Sequence, residues 1–184
     1  MNEITFNEIV RIIIFKPTTE IDRVLNQVKF KYVYLFPVLY ALLGGLSLSF
    51  DHGTILLSTI SSRLFFTYLI SFIYSWIVFF ISNSLKGSAN INMTYGLISY
   101  SFIPLILGTT LFLLLKILFA ICGVSIQTIT LLNYFIYYSQ IIFLIWTLFL
   151  LVIGNAYINS FSILRSFISS AGYILLRIFI ILKK

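Results

Sequence analysis

The chain has 184 residues, of which 60% are hydrophobic and only 9% are charged, and its mean hydropathy is +1.08. Soluble domains are about half apolar and about one quarter charged, so this balance excludes an ordinary soluble protein and indicates a one-domain integral membrane protein. The net charge of +7 suits loops that face anionic lipid, and we expect no nucleic acid partner.

Residues 1–31 form a polar and amphipathic segment ahead of the apolar part of the chain. Its first apolar side chains recur with helical spacing, at Phe6, Ile9, Val10, Ile13 and Ile14. Pro17 should end this first helix, and Thr18 or Thr19 can cap a second. Both helices are too short to cross a bilayer, so we expect them in the cytoplasmic interface of the membrane.

Two interpretations of this segment remain open. It is either an anchor on the membrane surface or a docking surface for a partner. For the second interpretation, the candidate contact residues are Lys16, Pro17, Glu20 and Arg23.

Residues 32–184 are predicted to form a transmembrane helical domain. Four uninterrupted apolar runs cover residues 32–50, 64–85, 96–121 and 133–153. Each run is long enough to cross a hydrocarbon core of about 30 Å, and the apolar residues do not alternate as they would in strands. The predicted fold class is therefore all-α, a polytopic membrane helix bundle preceded by amphipathic interfacial helices.

A fifth apolar run covers residues 167–182 and carries Arg177 near its middle. A charged side chain at the bilayer centre costs roughly 2.5 to 3.5 kcal/mol on the insertion scale. A spanning helix would also place Lys183 and Lys184 outside, against the positive-inside rule. The run is either a fifth span or a short helix in the inner interface.

The distribution of basic residues predicts a cytoplasmic N-terminus. With that orientation, the outer side holds Arg63, and Lys116 can extend towards it. The bases on the cytoplasmic side are Arg11, Lys16, Arg23, Lys29, Lys31, Lys86 and Arg165.

Small residues recur every four positions in the first span, at Ala41, Gly45 and Ser49. This spacing lets two helix backbones approach closely, and packing is the main force that lipid leaves available for helix association. We expect contacts between helices of the same chain, with homo-oligomerisation as the alternative.

The third span contains the sequence SYSFIPLILG, Ser99 to Gly108. Pro104 lacks a backbone donor and should leave the carbonyl of Tyr100 without its helical partner, so a kink is predicted. Gly108 lies one turn further along the same face.

Kinked helices with polar neighbours also build transport sites. A polar path could therefore run beside Ser101, Thr109 and, in the fourth span, Gln140. Coupled transporters usually need an acid or base within the membrane, and only Lys116 is charged in the four long runs. A structural kink is the favoured interpretation.

Residues suited to catalysis or metal binding are scarce. The sequence has one cysteine, Cys122, and one histidine, His52, which is adjacent to Asp51 in a loop. Adjacent side chains rarely converge on one proton, and the sequence has no metalloprotease or phosphate-binding motif. We predict no catalytic residue, no cofactor and no metal site, and therefore no enzyme.

Three stretches resemble the Ypt/Rab-interacting (Yip) membrane protein family, especially its compact prokaryotic members. They are FKPTTEIDRVL (Phe15 to Leu25), SYSFIPLILG (Ser99 to Gly108) and IWTLFLLVIGNAYINSFS (Ile145 to Ser162). The resemblance implies five spans, a cytoplasmic N-terminus and a C-terminus on the far side. It implies no enzyme chemistry.

Eukaryotic members of that family are associated with Rab-type GTPases, but their longer cytoplasmic N-terminal region has no counterpart in this sequence, so Rab binding is not carried over. We expect a scaffold or membrane-organising protein that contacts lipids or membrane-protein partners, in the cytoplasmic membrane of a prokaryote. The alternative is a small transporter or channel with a path beside the third span.

Overall fold

A computed structural model of the protein describes residues 5–26, 30–51, 57–123 and 126–182. All regular secondary structure in these residues is helical, so the predicted all-α fold class is confirmed for them. The helices are α1 (Phe6–Phe15), α2 (Pro17–Asn26), α3 (Phe30–Asp51), α4 (Leu57–Ser84), α5 (Ile91–Tyr100), α6 (Phe102–Ile121), α7 (Ile126–Asn159) and α8 (Ile163–Leu182).

Three helical stretches among the described residues are long and apolar enough to cross a membrane. They are Leu57–Ser84, Ile91–Ile121 and Tyr138–Asn159, and a shorter apolar helix covers Val33–Ser49. The protein is therefore an integral membrane protein built from helices, as its composition indicates.

Several helices extend well beyond the apolar runs from which they were predicted. Helix α4 begins at Leu57 rather than at residue 64, and α7 covers Ile126–Asn159 rather than residues 133–153. Helical hydrogen bonding does not depend on side-chain polarity, so a helix can continue past the apolar run into the more polar interface.

Helix α5 occupies the centre of the bundle. It packs against α2, α3, α4 and α7, while α3 also packs against α4 and α6. Helix α7 packs between α6 and α8, and α8 also contacts α4. Helices α3 and α5 begin, and α4 and α7 end, at the same end of the bundle, which we call the N-terminal end. The opposite end is the distal end.

The third predicted span is a continuous helical stretch with one irregularity, the interruption at Ser101 that divides it into α5 and α6. Pro104 has no N–H with which to bond the carbonyl of Tyr100, and the break falls at the residue after that carbonyl. All residues from Gly96 to Pro104 are buried. The interruption therefore lies in the protein interior.

Helices α1 and α2 fold back onto the N-terminal end of the bundle. Helix α1 starts with a capping box, in which the N–H of Glu8 donates to Thr5 Oγ1 and the N–H of Thr5 donates to Glu8 Oε2. Helix α2 begins at Pro17 and not after Thr18 or Thr19, because proline is well suited to the first helical position.

The apolar faces of α1 and α2 are covered by protein. Ile9 and Val24 are fully buried, and Phe6 stacks on Phe36 of α3 with 5.5 Å between ring centroids. The two helices were expected to rest these faces on the membrane interface. In the structure the faces instead complete the core of the bundle.

Candidate contact surface at the N-terminal helices

The junction between α1 and α2 is a tight turn centred on Lys16. The N–H of Lys16 donates to the carbonyl of Ile12 at 2.9 Å, and its own carbonyl accepts from the N–H of Glu20 at 3.1 Å. Lys16 thus ends one helix and starts the next, with Pro17 as the first residue of α2. The predicted contact residues thus lie together, with Lys16 at the junction and Pro17, Glu20 and Arg23 in α2.

Two ion pairs organise the polar side of these helices. Lys16 Nζ lies 2.8 Å from Glu20 Oε1, and Arg23 Nη2 of α2 lies 3.5 Å from Glu8 Oε1 of α1. All four charged groups are partly exposed, so each pair contributes little to the free energy of unfolding. Their main effect is to fix where opposite charges stand on the surface.

The hydrogen bonds of this surface also lower the pKa values of two carboxyl groups. The hydrogen bond from Lys16 lowers the pKa of Glu20 below its ordinary value of 4.5. The backbone N–H of Thr5 does the same for the pKa of Glu8, with a smaller contribution from the charge of Arg23. Both acids are therefore ionised at neutral pH, and the surface carries balanced positive and negative charges.

The outer face of α1 adds an exposed aromatic ring to these charges. Phe15 is 75% exposed, although it neighbours Lys16, and Arg11 lies one turn earlier on the same exposed face. An exposed phenyl ring beside bases is typical of a surface that contacts lipid or a partner.

The opposite faces of α1 and α2 fix the surface to the bundle. Ile21 of α2 packs against α7, where a Cβ added at Gly154 would lie 3.3 Å from Ile21 Cδ1 and 2.2 Å from Leu97 Cδ1. Ile13 and Leu25 are buried in the same cluster, next to the interruption at Ser101. The contact surface is thus held against the part of the bundle where α5 gives way to α6.

The bundle has a groove at each end. The groove at the N-terminal end has a volume of about 510 Å³, and the one at the distal end has a volume of about 470 Å³. The N-terminal groove lies beside α2 and opens between α3, α4 and α5. Its lining includes Leu25, Tyr34, Phe72, Trp76, Asn90 and Tyr95. This groove extends the contact surface with aromatic and amide side chains.

A buried polar cluster, which we call the asparagine cluster, joins α4, α7 and α8 at the N-terminal end. Asn155 is fully buried, and its Nδ2 donates to Ser169 Oγ, to Ser170 Oγ at 3.4 Å and to the carbonyl of Ser166 at 3.5 Å. Its Oδ1 accepts from Asn159 Nδ2 at 2.8 Å and from Ser82 Oγ at 3.4 Å.

The asparagine cluster also reaches the chain between α4 and α5. Asn159 Oδ1 accepts from the N–H of Ala89 at 3.2 Å, and Ser88 Oγ donates to the carbonyl of Ile158 at 3.2 Å. Sequence reasoning missed this cluster. The sequence feature that could have indicated it is a pair of amides four residues apart, Asn155 and Asn159. They lie on one helix face at the end of an apolar run.

A family model, the Yip1 domain, matches residues 11–183 of the chain. The chain belongs to the Yip1 family. No curated protein and no solved structure gives a significant match to it. The matched range includes the α1–α2 junction, the interruption at Ser101 and the asparagine cluster, so these three features all lie within the Yip1 domain.

Membership of the Yip1 family fits the small number of reactive groups, because the family is not known as an enzyme family. Among the described residues, no group of three His, Cys, Asp or Glu side chains could hold a metal ion. His52, and the side chain of Asp51 beside it, lie outside the part of the chain that is described.

The small residues predicted to mediate packing lie against neighbouring helices of the Yip1 domain. Ala41, Gly45 and Ser49 are buried along α3. A Cβ at Gly45 would lie 3.2 Å from the Cα of Ile60 on α4, and one at Gly108 would lie 2.6 Å from the ring of Phe143 on α7. The close approaches occur within one copy of the chain.

The three residues proposed to line a transport path are not brought together. The hydroxyl of Ser101 donates to the carbonyl of Ile98 at 2.6 Å, and that of Thr109 donates to the carbonyl of Leu105 at 2.8 Å, so each bonds a carbonyl three or four residues earlier in the chain. Gln140 is exposed on the outside of α7. A cavity of only about 10 Å³ adjoins Ser101, so the described residues give no support to a transport path.

The sequence allowed Lys116, near the end of the third span, to extend towards the outer side of the membrane. Its side chain is buried between α6 and α3, where Nζ lies 3.4 Å from Ser47 Oγ. A charged group within an apolar span is stabilised by a polar partner on a neighbouring helix, which explains the inward orientation.

Proposed function

We propose that this protein is a non-enzymatic membrane-organising scaffold. Its contact surface on α1 and α2 binds a protein partner or lipid headgroups on the cytoplasmic side of the membrane. The observation that carries the proposal is the division of these helices into two faces. One face is buried in the bundle, while the other presents Lys16, Pro17, Glu20 and Arg23 at the surface.

This division supports a scaffold because it makes the contact surface rigid. A surface that is already fixed to the bundle loses less conformational freedom when it binds than a flexible tail would. The paired charges of Lys16 with Glu20 and of Arg23 with Glu8 favour a partner that offers both signs of charge.

The proposed topology has five spans, with the N-terminus in the cytoplasm and the C-terminus on the far side. The packing of α8 supports a fifth span. Tyr173 of α8 contacts Tyr74, far from either end of α4, with 4.5 Å between ring centroids, and Gly172 lies against Ile77. A helix lying in the inner interface would not reach that depth. Arg177 lies beyond Tyr173, where the side chains are outside the described part.

Photo-crosslinking in native membranes tests the contact surface. A photoreactive amino acid at Lys16 or at Arg23 should capture a defined protein or lipid. The matched control is Arg165, another exposed base at the N-terminal end, which should not capture the same molecule. Capture of nothing specific at either of the two test positions would overturn the scaffold proposal.

Cysteine labelling tests the topology independently. Cys122 is the single cysteine, is exposed and follows α6 at the distal end. An impermeant maleimide should label it in intact cells. In a variant with Cys122→Ser and Lys16→Cys, labelling should require permeabilised cells, and the reverse pattern would refute the proposed orientation.

A further inference from the structure

A second groove lies at the distal end, between α3 and α4. Its volume is about 470 Å³, and its lining combines polar and apolar side chains. The polar residues are Ser58, Thr59, Ser62, Arg63 and Thr67, and the apolar or aromatic ones are Tyr40, Phe66 and Ile70.

Arg63 lies against Gly44 of α3, where the lack of a side chain leaves room for its guanidinium. A Cβ added at Gly44 would lie 1.7 Å from Arg63 Nη1 and 3.0 Å from Cζ, so the guanidinium rests directly on the α3 backbone. The side chain of Arg63 is therefore laid across α3. Among the side chains that the structure describes, no acid pairs with Arg63.

The position of Arg63 along α4 matches the level of lipid headgroups. Helix α4 has 28 residues. At a rise of about 1.5 Å per residue it is roughly 42 Å long, which exceeds a hydrocarbon core of about 30 Å. The apolar run of α4 begins immediately after Arg63, at Leu64, so the residues from Leu57 to Arg63 extend into the headgroup region.

The order of residues along α4 thus suits the two parts of a phospholipid, with Ser58, Ser62 and Arg63 ahead of Phe66 and Ile70. A guanidinium donates hydrogen bonds in a planar fork that fits phosphate oxygens, and nearby hydroxyls add further donors. Phe66 and Ile70 continue the groove one and two turns deeper along α4, at the level of acyl chains. Free phosphate would use only the first of these features.

We propose that the distal groove is a binding site for a phospholipid, with its phosphate on Arg63 and the hydroxyls of Ser58 and Ser62, and one acyl chain along Phe66 and Ile70. The site is separate from the contact surface on α1 and α2. It does not depend on which leaflet the distal end faces. Lys116, a base near this end whose side chain is described, contacts Ser47 and does not line the groove.

Native mass spectrometry of the full chain in detergent tests this site. Palmitoyl-oleoyl phosphatidylglycerol is titrated against the protein and against the variant Arg63→Gln. We expect the variant to bind the lipid about fivefold more weakly, which corresponds to the roughly 1 kcal/mol that one base contributes near a lipid surface. The matched control Arg165→Gln, which removes an exposed base at the other end, should bind like the wild type.

Two further arms distinguish a specific phosphate site from general attraction to charge or to acyl chains. Gly44→Ala keeps the charge but pushes the guanidinium off α3, so it should also weaken binding, and circular dichroism checks that each variant remains helical. A glucosyl diacylglycerol with the same acyl chains, which lacks phosphate, should bind poorly, and inorganic phosphate alone should not compete. Wild-type affinity in Arg63→Gln, equal loss in Arg165→Gln, or equal binding of the phosphate-free lipid would overturn the proposal.

Discussion

The two ends of the bundle are held together by different chemistry. At the N-terminal end, Asn155 and Asn159 link α4, α7 and α8 through buried hydrogen bonds. At the distal end, α3 and α4 meet through Gly44 and Gly45, where the absence of side chains allows close approach. Hydrogen bonds specify one register between helices, whereas glycine contacts specify only distance.

This difference has a consequence for function. The end with the specified register is also the end that carries the α1–α2 contact surface, so that surface stands on the more tightly defined part of the molecule. The distal end has a groove beside Arg63, which is the site proposed above for a phospholipid.

The largest expected effect comes from removing the centre of the asparagine cluster. Asn155→Leu keeps a similar volume but leaves Ser169, Ser170 and Asn159 without their shared partner. We expect a loss of about 2 kcal/mol in the free energy of unfolding, since buried polar groups left unsatisfied cost roughly 1 to 3 kcal/mol. Unfolding by sodium dodecyl sulfate in mixed micelles measures it. Gln140→Leu removes an exposed amide and serves as control, and equal losses in both variants would contradict the role of the cluster.

The next largest effect is expected at Gly87, which lies under the asparagine cluster. A Cβ there would meet Asn159 Oδ1 at 2.1 Å and the carbonyl oxygen of Ser82 at 2.9 Å. Gly87→Ala should therefore displace the amide that bonds Ala89, at about 1 to 2 kcal/mol by the usual cost of overpacking. The control is Gly172→Ala, where the nearest atom is Ile77 Cγ2 at 3.3 Å and little or no loss is expected.

A smaller effect is expected at the distal end. In Gly45→Ala the new methyl would lie 2.9 Å from Ile60 Cγ1 and 3.2 Å from Ile60 Cα, so α3 and α4 must separate by a few tenths of an ångström. We expect a loss of about 1 kcal/mol in the same unfolding assay. A loss larger than that of Asn155→Leu would reverse the comparison between the two ends.

The smallest effect concerns the ion pair between α1 and α2. Hydrogen bonds from Thr5, and to a smaller extent the charge of Arg23, lower the pKa of Glu8 on folding. Its carboxylate therefore stabilises the folded state above pH 4.5, and this contribution is lost as the pH falls through the lowered pKa. Glu8→Gln should make the N-terminal segment slightly easier to cleave in limited proteolysis at pH 7. The difference from wild type should vanish in strongly acidic solution, and a difference that persists there would show that the charge is not its cause.

The helices could be located from the sequence because long apolar runs, and a proline that ends or starts a helix, depend only on neighbouring residues. Sequence reasoning anticipated an irregularity at Pro104, and the chain breaks at Ser101. It did not identify the partner of Lys116, since hydropathy does not reveal that Ser47 on another helix supplies a polar contact. It also missed the asparagine cluster, whose members are distant in the chain and are identified only by their contacts.

The sequence by itself determined that this is a helical integral membrane protein with a polar and amphipathic N-terminal segment. Its apolar composition indicates a lipid environment, and few backbone structures are stable in lipid. Only the tertiary structure decided which faces of the helices meet. It turned the apolar faces of α1 and α2 into the protein and brought Arg63 onto Gly44, because these pairings depend on the shape and hydrogen bonding of surfaces that are assembled from separate parts of the chain.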